Sequence, residues 1–100
     1  MIEEIRQKIE TGQFEYSKHA TDQSILRRIT LQELREVMAT AEIIEDYPND
    51  KYGPSCLIVG FTRNNRPLHI QCTYPSRSLI KIVTIYEPNP DEWIDWKVRR

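Results

Sequence analysis

Apolar side chains in the first forty residues recur at the spacing of α-helices. Isoleucines three and four residues apart predict a first helix over residues 2–10. Ser17 is placed to cap a second helix over residues 18–28. A capping-box sequence that begins at Thr30 predicts a third helix over residues 31–40. The first part of the chain is therefore expected to be helical.

After Thr40 the hydrophobic period shortens to two, which is typical of β-strands. The predicted strands cover residues 42–47, 56–62, 67–74 and 79–86, and a short strand over 14–16 precedes the second helix. Asn89 and Pro90 resemble the start of a C-terminal helix. This order predicts the α+β class, with N-terminal helices packed on one face of a small antiparallel β-meander sheet. We expect residues 1–100 to form a single domain.

The turn between the second and third long strands determines which residues share a face. A two-residue turn at Asn64-Asn65 would place Arg63 opposite Arg66. One face would then carry only apolar residues, namely Leu57, Val59, Phe61, Leu68, Ile70 and Cys72, and we expect the helices to cover it. The same pairing places His69 opposite Thr84 and Tyr86 beside Pro67. The second face, which we expect to be open, would carry His69, Ile80, Ile82, Thr84 and Tyr86.

This register separates the two cysteines. Cys56 would lie on the open face and Cys72 on the core face, so that no disulfide could form between them. Two free thiols suit a reducing compartment. The chain has no metal-ligand spacing and no cofactor motif. It also lacks an apolar run long enough to cross a bilayer and shows no secretory signal at Met1, so we expect a soluble cytoplasmic protein without cofactors.

Charge is distributed unevenly along the chain. The formal net charge is −1, which by itself gives no reason to expect nucleic acid as a partner. Residues 1–50 carry 6 basic and 11 acidic side chains, whereas residues 51–86 carry 5 basic side chains and no acid. The acid-free segment could contact RNA or an acidic partner protein. Alternatively, acidic helices packed next to it could balance its charge.

Several short motifs follow one another in a characteristic order. They are Ser17-Lys18-His19-Ala20, Arg27-Arg28, Arg66-Pro67-Leu68-His69, and Thr84-Ile85-Tyr86-Glu87-Pro88 followed by Trp93. Their succession over residues 13–96 resembles the small bacterial family named domain of unknown function 4258. In that family a helix opens with Ser-x-His-Ala and carries arginines four and eight residues after the histidine. Here Gln23 replaces the first arginine and Arg27 keeps the second.

The resemblance implies both a fold and an activity. It implies a fold related to the RelE and ParE type toxins of toxin–antitoxin modules and to barnase-like ribonucleases. The implied activity is that of a toxin that cleaves mRNA without a metal ion and is neutralised by an antitoxin protein. Because Gln23 removes one cation, the resemblance implies a weaker phosphate clamp in this chain.

Metal-free RNA cleavage needs a base for the ribose 2′-hydroxyl, an acid for the leaving oxygen and cations for the phosphate. His19 is the candidate proton-transfer group, and Arg27, eight residues later, is the candidate phosphate ligand on the same helical stripe. His69, Thr84 and Tyr86 are candidate auxiliary groups that transfer protons or contact phosphate. The two groups would form one pocket if the second helix borders the open sheet face.

Structural roles compete with each of these assignments. His19 could bond a neighbouring backbone group, and Arg27 could form an ion pair with Asp22 or Glu33. His69 could be a solvated surface residue, and Tyr86 could pack against a proline. The alternative function is a non-catalytic binding module of the same fold that accepts an antitoxin-like peptide along a sheet edge. Small-ligand binding on the open face is a third hypothesis, and the oligomeric state stays open.

Overall fold

Three helices precede most of the strands in a computed structural model that describes residues 1–51 and 53–100. The helices are α1 Ile2–Glu10, α2 Lys18–Leu26 and α3 Leu31–Val37, and a 3₁₀ turn over Met38–Thr40 follows α3. The strands are β1 Phe14–Tyr16, β2 Glu42–Tyr47, β3 Ser55–Phe61, β4 Pro67–Thr73, β5 Ile80–Tyr86, β6 Trp93–Ile94 and β7 Val98–Arg99. These elements confirm the predicted α+β class.

Five strands form one sheet in the order β1-β5-β4-β3-β2. Neighbouring strands are antiparallel except for β1, which pairs with β5 in parallel, so the sheet is mixed rather than purely antiparallel. The hydrophobic core includes Ile5 and Ile9 of α1 and Leu34 and Val37 of α3, together with the isoleucines of β3, β4 and β5. The N-terminal helices therefore contribute to one core layer, as their apolar stripes predict.

Helix α2 continues the edge of the sheet where β1 ends. The backbone N–H of Ser17 donates to the carbonyl of Ile82 at 2.9 Å. The hydroxyl of Ser17 donates to the carbonyl of Val83 at 2.9 Å, while the side-chain oxygen of Gln23 accepts the N–H of Ile85 at 2.9 Å. The side chains of the N-cap Ser17 and of Gln23 thus satisfy backbone groups of β5 that have no strand beside them.

Helix α2 ends two residues earlier than predicted. The N–H of Arg28 donates to the carbonyl of Ile25 at 3.3 Å, and that of Ile29 donates to Ser24 at 2.8 Å. Arg28 has a φ of 54°, so it occupies the left-handed position of a Schellman motif. Ile29 is then buried in the core, and this burial fixes the direction of the chain towards α3.

The turn between β3 and β4 is one residue longer than predicted. The N–H of Thr62 donates to the carbonyl of Arg66 at 3.0 Å, so the loop contains residues 63–65. Asn65 has a φ of 61°, which suits the left-handed position of a three-residue hairpin loop. The predicted pairing of Arg63 with Arg66 is therefore wrong.

The longer turn moves β3 by one residue against β4. Val59 pairs with His69, and Ile58 pairs with Ile70. Because side chains alternate along a strand, Leu57 and Val59 lie on the face of His69 rather than on the helix side. Both are nonetheless buried, so this part of the second face is not open.

A bulge shifts the register between β4 and β5. His69 pairs with Tyr86 and Gln71 pairs with Thr84, before the shift places Cys72 opposite Ile82. The predicted pairing of His69 with Thr84 is therefore wrong. Because of the bulge, Ile80 and Ile82 lie in the core, whereas the prediction placed both on the face of His69.

The two cysteines are direct partners across β3 and β4. Cys56 pairs with Cys72, and both side chains are buried in the core as free thiols. The prediction that they lie on opposite faces is wrong, because the longer turn moves β3 by one residue and so places both cysteines on the same face. The hydrogen bond between the thiols, followed by burial, raises the pKa of Cys72 well above its ordinary value.

The predicted C-terminal helix is replaced by the hairpin of β6 and β7. The N–H of Lys97 donates to the carbonyl of Ile94 at 3.0 Å and closes the turn. The two central residues, Asp95 and Trp96, have φ angles of 52° and 64°, values typical of a type I′ turn and incompatible with a helix. We call β6, this turn and β7, residues 93–99, the C-terminal hairpin.

Candidate functional site

His69 is buried beneath the C-terminal hairpin instead of lying on an open face. Its side chain has 0% exposure. Its ring meets the ring of Trp93 edge to face, with centroids 4.4 Å apart, and its Nε2 lies 2.6 Å from the carbonyl oxygen of Trp96. Nδ1 lies 3.0 Å from the hydroxyl of Tyr86. The imidazole therefore joins β4 and β5 to the C-terminal hairpin.

The partners of His69 determine its tautomer. A carbonyl oxygen can only accept a hydrogen bond, so Nε2 carries the proton and donates to Trp96. Nδ1 then accepts from the hydroxyl of Tyr86. Burial lowers the pKa of His69 below its ordinary value, although the bond to Trp96 and the charge of Glu45 oppose this shift. The neutral imidazole is thus fully bonded in place.

An ion pair attaches the same hairpin to β2. The Arg99 guanidinium donates to both carboxylate oxygens of Glu45, at 2.9 and 3.1 Å, and lies 4.7 Å from the ring centre of Trp93. Tyr47 also donates to Glu45. Burial alone would raise the pKa of Glu45, but the bonds from Arg99 and Tyr47 outweigh it and lower the pKa.

His19 lies in a different environment, in the first turn of α2. The residue is exposed, and its imidazole makes no hydrogen bond, ion pair or ring contact with residues 1–51 or 53–100. Ser17, two residues earlier, caps the helix by accepting the N–H of Ala20 at 3.0 Å. An exposed imidazole without a structural partner is available to a substrate.

Arg27 is exposed at the C-cap of α2. Its guanidinium has no partner within the described part of the chain, whereas its backbone carbonyl accepts from Arg66 at 2.8 Å. At 1.5 Å per residue, His19 and Arg27 are separated by about 12 Å along the helix. The intervening Gln23 is held by Ile85, so the amide has a structural role where the resemblance places an arginine.

The predicted residues thus form two groups that the structure does not join. His69 and Tyr86 are in contact, and Thr84 lies on their face, half-buried and opposite Gln71. No hydrogen bond, ion pair or ring contact among the described residues connects these three with the side chains of His19 or Arg27. No contact therefore joins the two groups into the single pocket that the sequence predicts.

Sequence reasoning missed a cleft on the His69 face of the sheet. Its volume is about 330 Å³. The lining residues are Ser17, Asp50, Gly53, Ser55, Thr73, Arg77, Lys81 and Val83. We call this space the polar cleft. Ser55 and Thr73 are direct partners across β3 and β4, and Arg77 and Lys81 of the acid-free segment lie beside them, but the sequence could indicate this grouping only with the correct register.

Acidic side chains of the helices balance part of the acid-free segment. Arg66 contacts Glu33 of α3 at 3.1 Å and Glu87 at 2.6 Å. These carboxylates raise the pKa of Arg66, with Glu87 as the main cause. Arg63 is 4.0 Å from Glu36 and therefore makes only a weak ion pair. Glu33 thus balances Arg66 from a neighbouring helix, as the second interpretation predicts, but the main partner, Glu87, follows β5 and belongs to no helix.

No cluster of three or more His, Cys, Asp or Glu side chains suited to a metal ion occurs within residues 1–51 and 53–100. The helices in that part of the chain are also too short or too polar to span a bilayer.

Comparison with known proteins identifies one family. The family model for the domain of unknown function DUF4258 matches residues 16–87. No curated protein and no solved structure matches the chain significantly. The match begins at Tyr16, includes α2 and all the long strands, and ends just after β5. Since it spans well over half of the residues, the chain belongs to the DUF4258 family.

Proposed function

We propose that this protein is a toxin-like, metal-independent ribonuclease in which His19 transfers a proton. The observation that carries the proposal is the exposed imidazole of His19, which has no partner in the described structure. It lies in the first turn of the helix whose cap, Ser17, lines the polar cleft. The RelE- and ParE-like relationship of the fold is part of the same proposal.

The proposed reaction is an internal transfer at phosphorus. The ribose 2′-oxygen attacks the adjacent phosphorus and loses its proton to a base, while the bond to the 5′-oxygen breaks and that oxygen receives a proton. The products are a 2′,3′-cyclic phosphate and a free 5′-hydroxyl. His19 serves one of the two proton transfers, and Arg27 contacts the phosphate of a flanking nucleotide about 12 Å away.

In this proposal His69 and Tyr86 stabilise the fold and do not touch the substrate. Both are held by hydrogen bonds, and His69 is buried. Thr84 is half-buried on the same face and is the member of this group that could offer a hydroxyl to a phosphate. Loss of His69 should therefore change stability, whereas loss of His19 should change activity.

Expression in a growing bacterial host tests this function. The wild type should arrest growth, and His19→Ala should relieve the arrest because removal of a proton-transfer group costs about 10²- to 10⁴-fold in rate. Arg27→Ala should relieve it in part. Lys18→Ala is the matched control, since Lys18 is also exposed in the same turn and, among the described residues, pairs with Asp22 alone, at 3.4 Å. Arrest that persists in His19→Ala would contradict the proposal.

A second candidate function is a non-catalytic protein-binding module. Ile25 and Leu26, at the C-terminal end of α2, are 72% and 80% exposed. The next two residues are the exposed arginines Arg27 and Arg28. An apolar pair beside two cations suits an acidic, amphipathic segment such as an antitoxin peptide.

Affinity purification from the native host distinguishes the two functions. A binding module should retain one stoichiometric partner in His19→Ala and lose it when Ile25 and Leu26 are both changed to Ser. A partner that is retained by the double variant would argue against this surface.

A further inference from the structure

Two buried hydroxyls line the polar cleft. Ser55 is 1% exposed and Thr73 is 4% exposed. Ser55 donates to the carboxylate of Asp50 at 2.9 Å and accepts from Gln71 at 3.2 Å. Burial of polar groups costs free energy unless they are bonded. Ser55, Asp50 and Gln71 thus form a hydrogen-bonded polar wall on one side of the cleft.

The hydroxyl of Thr73 accepts a hydrogen bond but donates none within the described residues. Its oxygen accepts the backbone N–H of Lys81 at 2.9 Å. Its hydroxyl proton has no acceptor among the described residues. A threonine hydroxyl can donate one bond and accept two, so the proton of Thr73 is available to an oxygen-bearing ligand in the cleft.

Two cations line the same space, Arg77 from the loop before β5 and Lys81 from the second position of β5. Lys81 is 42% exposed and lies 3.8 Å from Glu15, which is a weak contact that a stronger anion can replace. Arg77 lies against Gly53, and a Cβ on that glycine would be 3.2 Å from its Nη2 atom. Gly53 also has a φ of 109°, a conformation that side chains disfavour. The glycine therefore leaves room for the guanidinium.

We propose that the polar cleft binds a phosphate group of a ribonucleotide or of RNA. Guanidinium, ammonium and hydroxyl donors are the groups that contact phosphate oxygens. The volume of about 330 Å³ is sufficient for a nucleotide-sized ligand. Ser17 brings the positive end of the α2 dipole to the same rim. The choice of RNA as the source of the phosphate rests on the proposed ribonuclease function.

The negative charge of Asp50 lowers the affinity of the polar cleft for a phosphate group. Its carboxylate lines the cleft beside Ser55 and Gln71, so it repels an anion that binds there. Replacement by Asn keeps the shape and a hydrogen-bond acceptor while removing the charge. Asp50→Asn should therefore strengthen phosphate binding, which is the opposite of the effect expected when a cation is lost.

Equilibrium titration followed by NMR tests the cleft independently of catalysis. The probes are inorganic phosphate, a ribonucleoside monophosphate and an oligodeoxyribonucleotide, which a ribonuclease cannot cleave. Arg77→Gln and Lys81→Gln should each weaken binding about tenfold, because a charge-assisted hydrogen bond contributes roughly that factor. Arg63→Gln is the control, since it removes the same charge from an 83% exposed side chain in the loop between β3 and β4, at the opposite end of these strands from Ser55 and Thr73.

The probes also identify the source of the phosphate. Tighter binding of the mononucleotide than of the oligonucleotide indicates a terminal phosphate as the ligand, and the reverse indicates a chain phosphate. The proposal is overturned if none of the probes shifts the signals of Thr73 and Lys81, or if Arg63→Gln weakens binding as much as Arg77→Gln. A protein that binds phosphate but cleaves no RNA would overturn the proposed function and leave the cleft assignment intact.

Discussion

His69 couples folding to pH through its two ring partners. Burial lowers its pKa in the folded state, so below the unfolded value of about 6.5 the unfolded chain binds a proton that the folded chain resists. The contribution of neutral His69 to the free energy of unfolding is fully present above that pH. It is lost as the pH falls through the lowered pKa of the folded state. Stability should therefore decrease as the pH is lowered from about 6.5.

Urea unfolding between pH 5 and 7.5 measures this effect. His69→Gln should lower the free energy of unfolding by about 1–3 kcal/mol at pH 7.5, because buried partners lose their bonds, and should flatten the pH dependence. His19→Gln, which leaves His69 in place, should keep the slope. The pKa values of Glu33 and Glu45 are lowered from 4.5. These two groups therefore change the free energy of unfolding mainly below about pH 4.5, outside the range of the experiment.

Substitution of Tyr16 should raise the free energy of unfolding, in contrast to substitution of His69. Its hydroxyl is buried and has no hydrogen-bond partner among the described residues. Burial accordingly raises its pKa. Tyr16→Phe removes an unsatisfied polar group while the ring stays packed against the core. The free energy of unfolding should increase by about 1 kcal/mol, and a decrease of similar size would show that the hydroxyl has a partner.

Gly60 determines how closely β3 approaches the end of α3. A Cβ at this position would lie 2.4 Å from the carbonyl oxygen of Val37. That oxygen belongs to the backbone and cannot rotate away, so the two elements must separate. Gly60→Ala should lower the free energy of unfolding by about 1–3 kcal/mol in a thermal or urea melt. An unchanged midpoint would mean that the 3₁₀ turn after α3 yields easily.

The helices and most strand positions could be predicted from local sequence, whereas the pairing of strands could not. Thr30 and Glu33 form the predicted capping box because both partners lie within one turn. The register instead depended on whether Asn64-Asn65 formed the whole loop. Asn65 adopts a positive φ, which both loop lengths allow, so the residue type alone could not decide.

The C-terminal hairpin shows a long-range contact overriding local helix signals. Asn89, Pro90 and the acidic residues after them are typical of a helix start. The hairpin forms instead because Trp93 and the carbonyl of Trp96 cover His69, 24 or more residues earlier in the chain. The C-terminal hairpin thereby covers part of the face that the sequence predicts to be open, and His69 is buried.

Arg66 connects three parts of the molecule. Its guanidinium donates to the carbonyls of Arg27 and Arg28 at 2.8 and 3.2 Å, and to the carboxylates of Glu33 and Glu87. It thus joins the end of α2, the start of α3 and the end of β5. A lysine has three donors on one atom and cannot reach all of these acceptors.

Substitution of this arginine tests how strongly the helical layer is attached to the sheet. Arg66→Lys should lower the free energy of unfolding by about 1–3 kcal/mol, since hydrogen bonds to charged groups are lost. Arg63→Lys, at an 83% exposed side chain, should change it by less than about 0.5 kcal/mol. Equal effects of the two substitutions in urea unfolding would contradict this role of Arg66.

At the scale of the whole molecule, the proposed function depends on the exposed His19 of α2 and on the polar cleft at the N-terminal end of that helix. The measurement that tests this most directly is cleavage, in EDTA, of an oligodeoxynucleotide that contains a single ribonucleotide. The purified wild type should cut only after the ribonucleotide and leave a 2′,3′-cyclic phosphate, and His19→Ala should be at least about 100-fold slower. Absence of cleavage by the folded wild type, or equal rates for the two proteins, would contradict the account.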